Sequence, residues 1–191
     1  ERCAVAPRYG LATTDCIFAC SRDGLHFKRY DEAFMRPGPE HPLGWVYGDC
    51  YPAVGLIETE SPVRGADPEL SMYTFANHWS GIPADLNRYA IRREGFVSRH
   101  AAYTPQMLVT RPFVFDGDAL RINFSTSARG SIYITLRTPD GQEYTSGEIF
   151  GDATDRTVDF VQGSVSALRG VPVTMECRMS DADIYSFTFG K

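Results

Sequence analysis

The chain has 191 residues, an apolar content of 43% and a net charge of −5. This length suits one large or two small domains with a packed core, and the acidic balance argues against a nucleic-acid partner, which needs a basic surface. No stretch approaches the roughly eighteen consecutive apolar residues of a membrane-spanning helix, so no membrane span is predicted. Neutral sugars and peptides remain open as ligands.

The first half of the chain is predicted to form β-strands joined by long loops. Strand-like runs cover residues 14–21, 25–30, 45–58, 70–76 and 86–93. Asp23 and Gly24 form a predicted turn between the first two runs. The repeated two-strand units favour a propeller blade, although a single blade is not a repeat family by itself.

The second half is predicted to form many short amphipathic strands. In residues 120–124, 132–136 and 184–189, apolar and polar side chains alternate, which places one face of each strand in a core. Glycine, proline and aspartate mark turns between such runs. The pattern indicates a β-sandwich or barrel. The predicted core residues are Phe113, Phe115, Leu120, Ile122, Phe124, Ile132, Ile134, Leu136, Phe160, Val173, Ile184 and Phe187.

The predicted fold class is therefore all-β, and the boundary between the halves is expected near Glu94. This gives a first domain over residues 1–93 and a second over residues 94–191. The sequence Asn123-Phe124-Ser125 matches a glycosylation acceptor site, but it lies inside a predicted strand and is interpreted as a chance match.

Neither cysteines nor acids indicate a metal site, and no cofactor is expected. The five cysteines include no C-x-x-C pair, so they signal neither a zinc site nor a full disulfide framework. Cys16 and Cys20 lie on one predicted strand, too far apart to bridge. The cysteines are interpreted as mostly buried and reduced. The turn acids have the oxygen chemistry of calcium ligands but lack calcium-loop spacing; they are Asp116, Asp118, Asp181 and Asp183.

Four segments resemble a known pattern. Residues 21–27 resemble the strand-turn-strand Asp-box of sialidase-type blades, one residue shorter and without its Thr-Trp end. Residues 92–98 resemble the R-x-D-G-F-x-S junction at the end of five-bladed propellers of glycoside hydrolase families 32 and 43, the invertase, levansucrase and arabinanase superfamily. Residues 110–117 and 181–187 resemble the β-sandwich that follows such propellers. The resemblance covers residue 12 to the end.

The resemblance implies a partial five-bladed β-propeller, represented by its terminal blade, followed by a jelly-roll-like β-sandwich. Family members carry their catalytic carboxylates in earlier blades, so this chain is expected to contribute substrate contacts and to be inactive alone. Its catalytic residues are not identified. Carbohydrate is the expected ligand, and upstream blades or self-association are expected to cover the open faces of the blade. The alternative is a non-catalytic carbohydrate-binding or structural β-sandwich module.

Five residues of the first half are predicted to contact substrate. Asp49 follows Trp45 and Tyr47, so aromatic rings and an acid occur together at the head of a predicted strand. His78 and Trp79 follow another predicted strand, where an imidazole can donate to a sugar hydroxyl and an indole can stack on a sugar ring. The alternatives are, for Asp49, a loop acid that caps its own backbone and, for His78, a surface loop residue or a partly buried histidine that holds a backbone carbonyl.

The other acids of the first half are assigned structural or solvated roles. Glycoside hydrolysis needs two carboxyl groups across the scissile bond. Asp23 is predicted to be a turn former, and Glu58, Glu60, Asp67 and Glu69 are predicted to be solvated. No G-x-S-x-G motif and no phosphate-binding loop occurs. The localisation, the sugar and the linkage are left open.

Overall fold

The computed structural model describes residues 12–40, 45–78 and 81–190. Within these ranges the chain is all-β, as predicted, with a single 3-10 turn at Val165–Leu168. It divides into two units, the first ending at Arg92 and the second beginning at Arg93. The strands are β1 (Cys16–Ser21), β2 (Phe27–Met35), β3 (Ile57–Thr59), β4 (Glu69–Ala76), β5 (Asp85–Arg92), β6 (Arg99–Ala101), β7 (Gln106–Val109), β8 (Ala119–Arg137), β9 (Glu143–Thr145), β10 (Asp152–Thr157) and β11 (Thr174–Gly190).

The first unit contains two small antiparallel sheets. β1 and β2 form a hairpin, and β3, β4 and β5 form a three-stranded sheet with β4 in the centre. The Arg88 guanidinium on β5 donates to the Ser71 hydroxyl on β4 (2.7 Å) and the Thr59 hydroxyl on β3 (2.9 Å). Because Ser71 is fully buried, its hydroxyl group needs a hydrogen-bond partner, which Arg88 supplies. The contacts of Arg88 therefore tie the three strands together.

The strand predicted over residues 45–58 is wrong for most of its length. Residues 45–56 form turns with a single bridge, from Pro52 to Thr74, and only the short β3 is a strand. The backbone takes positive φ at Trp45, Gly48, Cys50 and Gly55, a region incompatible with extended pairing. Asp49 therefore lies in a turn and not at the head of a strand.

The second unit is organised by two long strands. β8 and β11 pair antiparallel from Arg137 opposite Thr174 to Ala119 opposite Gly190, with irregularities in β11 near residues 181 and 185. β10 and β9 pair with β8, while β6 and β7 pair with β11, giving one six-stranded sheet. The two runs predicted as separate strands, 120–124 and 132–136, are thus parts of one strand.

The core of the second unit follows the predicted alternation. Leu120, Phe124, Ile132 and Ile134 are fully buried, and the other predicted core residues are buried too, apart from two aromatic residues. Phe113 is partly buried. Phe187 is 39% exposed, beyond the last irregularity in β11, where its ring packs on those of Phe113 and Phe189.

Asn123 of the glycosylation match lies in β8 and is 2% exposed. Its amide nitrogen donates to the carbonyl oxygen of Arg93 at 2.7 Å. This acceptor site is therefore closed in the folded chain, in agreement with its interpretation as a chance match.

The close approach of β8 to the irregular part of β11 requires glycine at position 130. A Cβ there would lie 2.2 Å from the Asp181 carbonyl oxygen and 2.9 Å from Thr126 Cβ. Asp181 itself has φ of 45°. We expect Gly130→Ala to lower the free energy of unfolding by about 1–3 kcal/mol, because two backbones must separate. Chemical denaturation measures this change.

Gly147 gives the matched control, since a Cβ there would meet nothing within 4 Å. Gly147→Ala is expected to change stability by no more than about 0.5 kcal/mol. Equal stability of the two variants would show that β8 and β11 do not approach each other this closely at residue 130.

Candidate functional site

Residues 45–51, called the aspartate turn below, carry most of the predicted site. Two non-glycine residues of this turn, Trp45 and Cys50, have φ of 59° and 66°. The Cys50 N–H donates to the Phe75 carbonyl at 3.2 Å, so the turn is pinned to β4. Non-glycine residues in this region are strained, and such strain is often found at functional sites.

Asp49 and His78 meet at this turn although 29 residues separate them. Oδ1 of Asp49 accepts the backbone N–H of His78 at 3.1 Å and lies 3.5 Å from His78 Nδ1. Asp49 is 4% exposed, so its carboxylate requires such polar neighbours. The side chain of His78 is 27% exposed. The Asp49 carboxylate therefore holds the backbone of His78, and the imidazole lies beside the same oxygen.

The end of β4 holds the histidine in place from two sides. Asn77, with φ of 63°, donates its side-chain amide to Asp85 Oδ2 at 2.5 Å across the mouth of the β4–β5 hairpin. The edge of the His78 ring meets Phe75, with centroids 5.7 Å apart and planes at 81°. These contacts fix both the backbone and the ring plane of His78.

The aspartate turn also presents two exposed tyrosines. The rings of Tyr47 and Tyr51 pack edge to face with centroids 6.0 Å apart, and the two residues are 37% and 45% exposed. A hydrogen bond with Tyr47 raises the pKa of the Tyr51 hydroxyl. The pair offers aromatic surface and hydroxyl groups beside the Asp49 backbone.

Of the two tryptophans predicted to contact substrate, the structure describes only Trp45. The Trp45 indole N–H donates to the Gly38 carbonyl at 2.8 Å, so this donor is occupied by the chain's own backbone. Trp79 lies outside the described residues. The structure thus brings Asp49 and His78 together and places Tyr47 in the same turn.

Sequence reasoning missed Tyr51, Phe75 and Asn77. Asn77 had a usable signal, because asparagine is enriched at positive φ and directly precedes His78. Tyr51 and Phe75 had none, since their positions depend on a turn that alternation cannot predict.

The aspartate turn is further tied to the start of the first hairpin. The Gly48 N–H donates to the Thr14 hydroxyl at 3.1 Å, and the Cys16 thiol donates to the Cys50 carbonyl. Burial raises the pKa of the Cys16 thiol and of the Cys50 thiol. Cys20 is exposed, which corrects the expectation of mostly buried cysteines for that residue. In the second unit, burial raises the pKa of Cys177 to about 12.

Two of the segments that carried the sequence resemblance, residues 92–98 and 181–187, contact each other. The Ser98 hydroxyl donates to Asp183 Oδ1 at 2.6 Å, and Nδ1 of His100 lies 3.2 Å from the same oxygen. The Ser186 hydroxyl donates to the Glu94 carboxylate. These residues anchor the segment after Arg93 to β11, so their role in this structure is to hold that segment.

The turn acids do not assemble a metal centre in the described ranges. Asp118 pairs with Arg169, while Asp183 binds Ser98 and His100. No group of three metal-ligating side chains occurs among residues 12–40, 45–78 and 81–190.

Asp23 forms the turn between β1 and β2, as predicted. Its Oδ1 accepts the backbone N–H groups of Leu25 (2.9 Å) and His26 (2.8 Å), and its Oδ2 lies 2.7 Å from His26 Nδ1. These contacts, led by the His26 N–H, hold the pKa of the Asp23 carboxyl well below its usual range.

Comparison with known proteins gives no relative for this chain. No protein-family model, no curated protein and no solved structure matches it. Within the described ranges, no helix has the length and apolarity needed to cross a membrane.

The lowered pKa of Asp23 predicts how the first hairpin responds to acid. A carboxyl whose pKa is depressed by folding stabilises the folded state above its unfolded pKa, and this contribution disappears as the pH falls towards the folded pKa. We therefore expect Asp23 to stay ionised at pH 3, where an ordinary aspartate with a pKa of about 3.9 is mostly protonated. Carboxyl carbon NMR shifts measure this titration.

The His26→Gln variant is the control, because it removes the imidazole and keeps the backbone donors. It should move the Asp23 midpoint upwards only in part. An Asp23 midpoint near 4 in the unmodified chain would contradict the observed turn geometry.

Proposed function

We propose that this chain is the C-terminal part of a carbohydrate-active protein similar to glycoside hydrolases of families 32 and 43. The first unit supplies sugar contacts, and the second serves as an accessory β-sandwich. The observation that carries the proposal is the pairing of Asp49 with His78 beside exposed tyrosines. A buried acid that holds the backbone of a partly exposed histidine next to aromatic rings suits recognition of a neutral polyhydroxylated ligand.

Local features support the proposed architecture. In the first unit, the β3–β4–β5 sheet is an antiparallel meander of the kind that builds a propeller blade, and the Asp23 turn makes the side-chain to backbone bonds of an Asp-box-like corner. In the second unit, β8 is buried at alternate positions near both ends and pairs with β10 at one end and β9 at the other. A long bent strand shared in this way suits a sandwich.

Exposed apolar side chains support the proposal that a partner covers part of the first unit. Leu25, Phe27, Val54 and Leu86 are each more than half exposed. Large exposed apolar side chains of this kind contribute to interaction surfaces when they lie together. Upstream blades, or a second copy of the chain, are the proposed partners of these side chains.

The proposed sugar contacts divide into polar and stacking interactions. His78 Nε2 exchanges a hydrogen bond with a sugar hydroxyl, while Asp49 holds the backbone of His78. Tyr47 and Tyr51 supply stacking surface. One aromatic contact contributes about 1 kcal/mol, and millimolar binding requires about 4 kcal/mol. Weak, millimolar binding is therefore expected of this chain.

The chemistry of this unit supports binding and not bond cleavage. Glycoside hydrolysis needs two carboxyl groups placed on either side of the scissile bond. Asp49 is engaged by His78, and Asp85 accepts from Asn77. In the proposed whole protein, the catalytic carboxylates come from other blades.

Titration of the full chain with neutral oligosaccharides tests the sugar site. Fructans and arabinans should give saturable NMR shifts at the aspartate turn and at His78. Tyr47→Ala and His78→Ala should each weaken binding about fivefold, the effect of losing about 1 kcal/mol. Tyr47→Phe keeps the ring and His26→Ala changes an exposed histidine of the β1–β2 turn, so both should stay within about twofold.

Binding that is unaffected by Tyr47→Ala, Asp49→Asn and His78→Ala would reject the site. No saturable shift in the first unit with any sugar of the panel would reject the proposed role of that unit.

Activity assays test the proposed lack of complete catalytic machinery. We expect no turnover of aryl glycosides, fructans or arabinans above the buffer rate, because loss of an essential acid or base alone removes about 10²–10⁴-fold in rate. Asp49→Asn should behave like the unmodified chain. Clear turnover that Asp49→Asn abolishes would show that the chain carries its own catalytic acid.

A further inference from the structure

The second unit contains a cleft of about 340 Å³ that the proposed sugar site does not involve. It lies where the start of β8, the end of β10 and the 3-10 turn at Val165–Leu168 come together. This volume is at the lower end of the range for small-molecule sites, which begins at about 300 Å³. The cleft therefore has room for a ligand of about one monosaccharide unit.

The floor of the cleft is apolar and rigid. Val158, Phe160 and Val165 line it and are 6%, 9% and 2% exposed. All three belong to the core of the second unit. Because these side chains are packed into the core of the second unit, the floor is preformed and needs no ordering when a ligand binds.

The rim of the cleft is polar and acidic. Asp118 pairs with Arg169, and the Ser164 hydroxyl donates to the Asp118 backbone carbonyl at 3.2 Å, which fixes that side. Thr157 and Asp159 form the other side and are exposed. Within the described part of the chain, the Asp159 carboxylate shows no hydrogen bond or ion pair. The Asp118 carboxylate is thus balanced by Arg169, and the Asp159 carboxylate faces solvent at the rim.

We propose that this cleft is a second binding site, for one unit of a neutral sugar. Carboxylates accept hydrogen bonds from neighbouring sugar hydroxyls, and charge-assisted bonds of this kind are stronger than neutral ones. The apolar floor suits the C–H face of a sugar ring. The excess negative charge excludes acidic sugars and phosphates. The inference stands on the cleft alone and does not depend on the site at Asp49 and His78.

The test is a titration of the full, ¹⁵N-labelled chain with glucose, galactose, fructose and arabinose. At least one should give saturable amide shifts at Asp159, Gly163 and Ser164. Asp159→Ala should weaken this binding at least fivefold and leave the fold intact, because residue 159 is exposed. Asp116→Ala, which removes an exposed carboxylate outside the cleft, is the matched control and should bind as the unmodified chain does.

Three results would overturn the proposal. The first is the absence of saturable shifts at the cleft with all four sugars. The second is binding there that Asp159→Ala does not weaken. The third is tighter binding of glucuronate or of an alkylammonium ion than of the neutral sugars, which would assign another ligand class.

Failure of this proposal is distinguishable from failure of the proposed function. His78→Ala should leave the shifts at Gly163 and Ser164 unchanged, and Asp159→Ala should leave those at the aspartate turn unchanged. Each site is therefore judged by its own resonances and its own variant.

Discussion

The pairing of β8 with β11 is the constraint on which the second unit depends. These two strands, of 19 and 17 residues, exchange backbone hydrogen bonds along almost their whole length, and every other strand of the unit pairs with one of them. Their buried faces carry most of the core, including Ile134 and Cys177. The anchoring of Ser98 to Asp183 and the closed environment of Asn123 both follow from this pairing.

The first unit depends on a different constraint, the placement of a buried carboxylate. Asp49 is removed from water, and an ionised group in that position is costly unless nearby donors compensate. The observed donor is the backbone N–H of His78, just after β4, and this contact helps to hold a turn with strained φ angles against that strand. The same contact that compensates the buried carboxylate also fixes the backbone position of His78. Stability and recognition therefore draw on one interaction.

Period-two alternation explains what could be predicted and what could not. It predicted the strands around Leu120, Ile132 and Ile184 and nearly all of their buried residues, because burial of one face imposes that period. It failed over residues 45–58, where apolar residues lie in turns with positive φ. It also failed at Phe187, because an irregularity in β11 changes which face its side chain occupies.

For the two sites, the sequence could predict which residue types suit a binding role but not which residues come into contact. Asp49 and His78 were identified by side-chain type, but their contact depends on how β4 approaches a turn 29 residues earlier. The cleft at Asp159 was not predicted, because it forms only where residues 157–165 fold against the start of β8, which is distant from them in sequence. Its acids resemble any other turn acids until the chain is folded.

The closed position of Asn123 has a consequence for producing this protein. An oligosaccharyltransferase modifies its acceptor on an unfolded chain, so in a secretory host the Asn123-Phe124-Ser125 sequence would be read before β8 pairs. A glycan on that nitrogen would replace one of its two hydrogens beside the Arg93 carbonyl and would have no space next to a side chain that is 2% exposed. Such a host would yield a modified chain unable to close its central strand pair, whereas a host without N-glycosylation avoids the conflict.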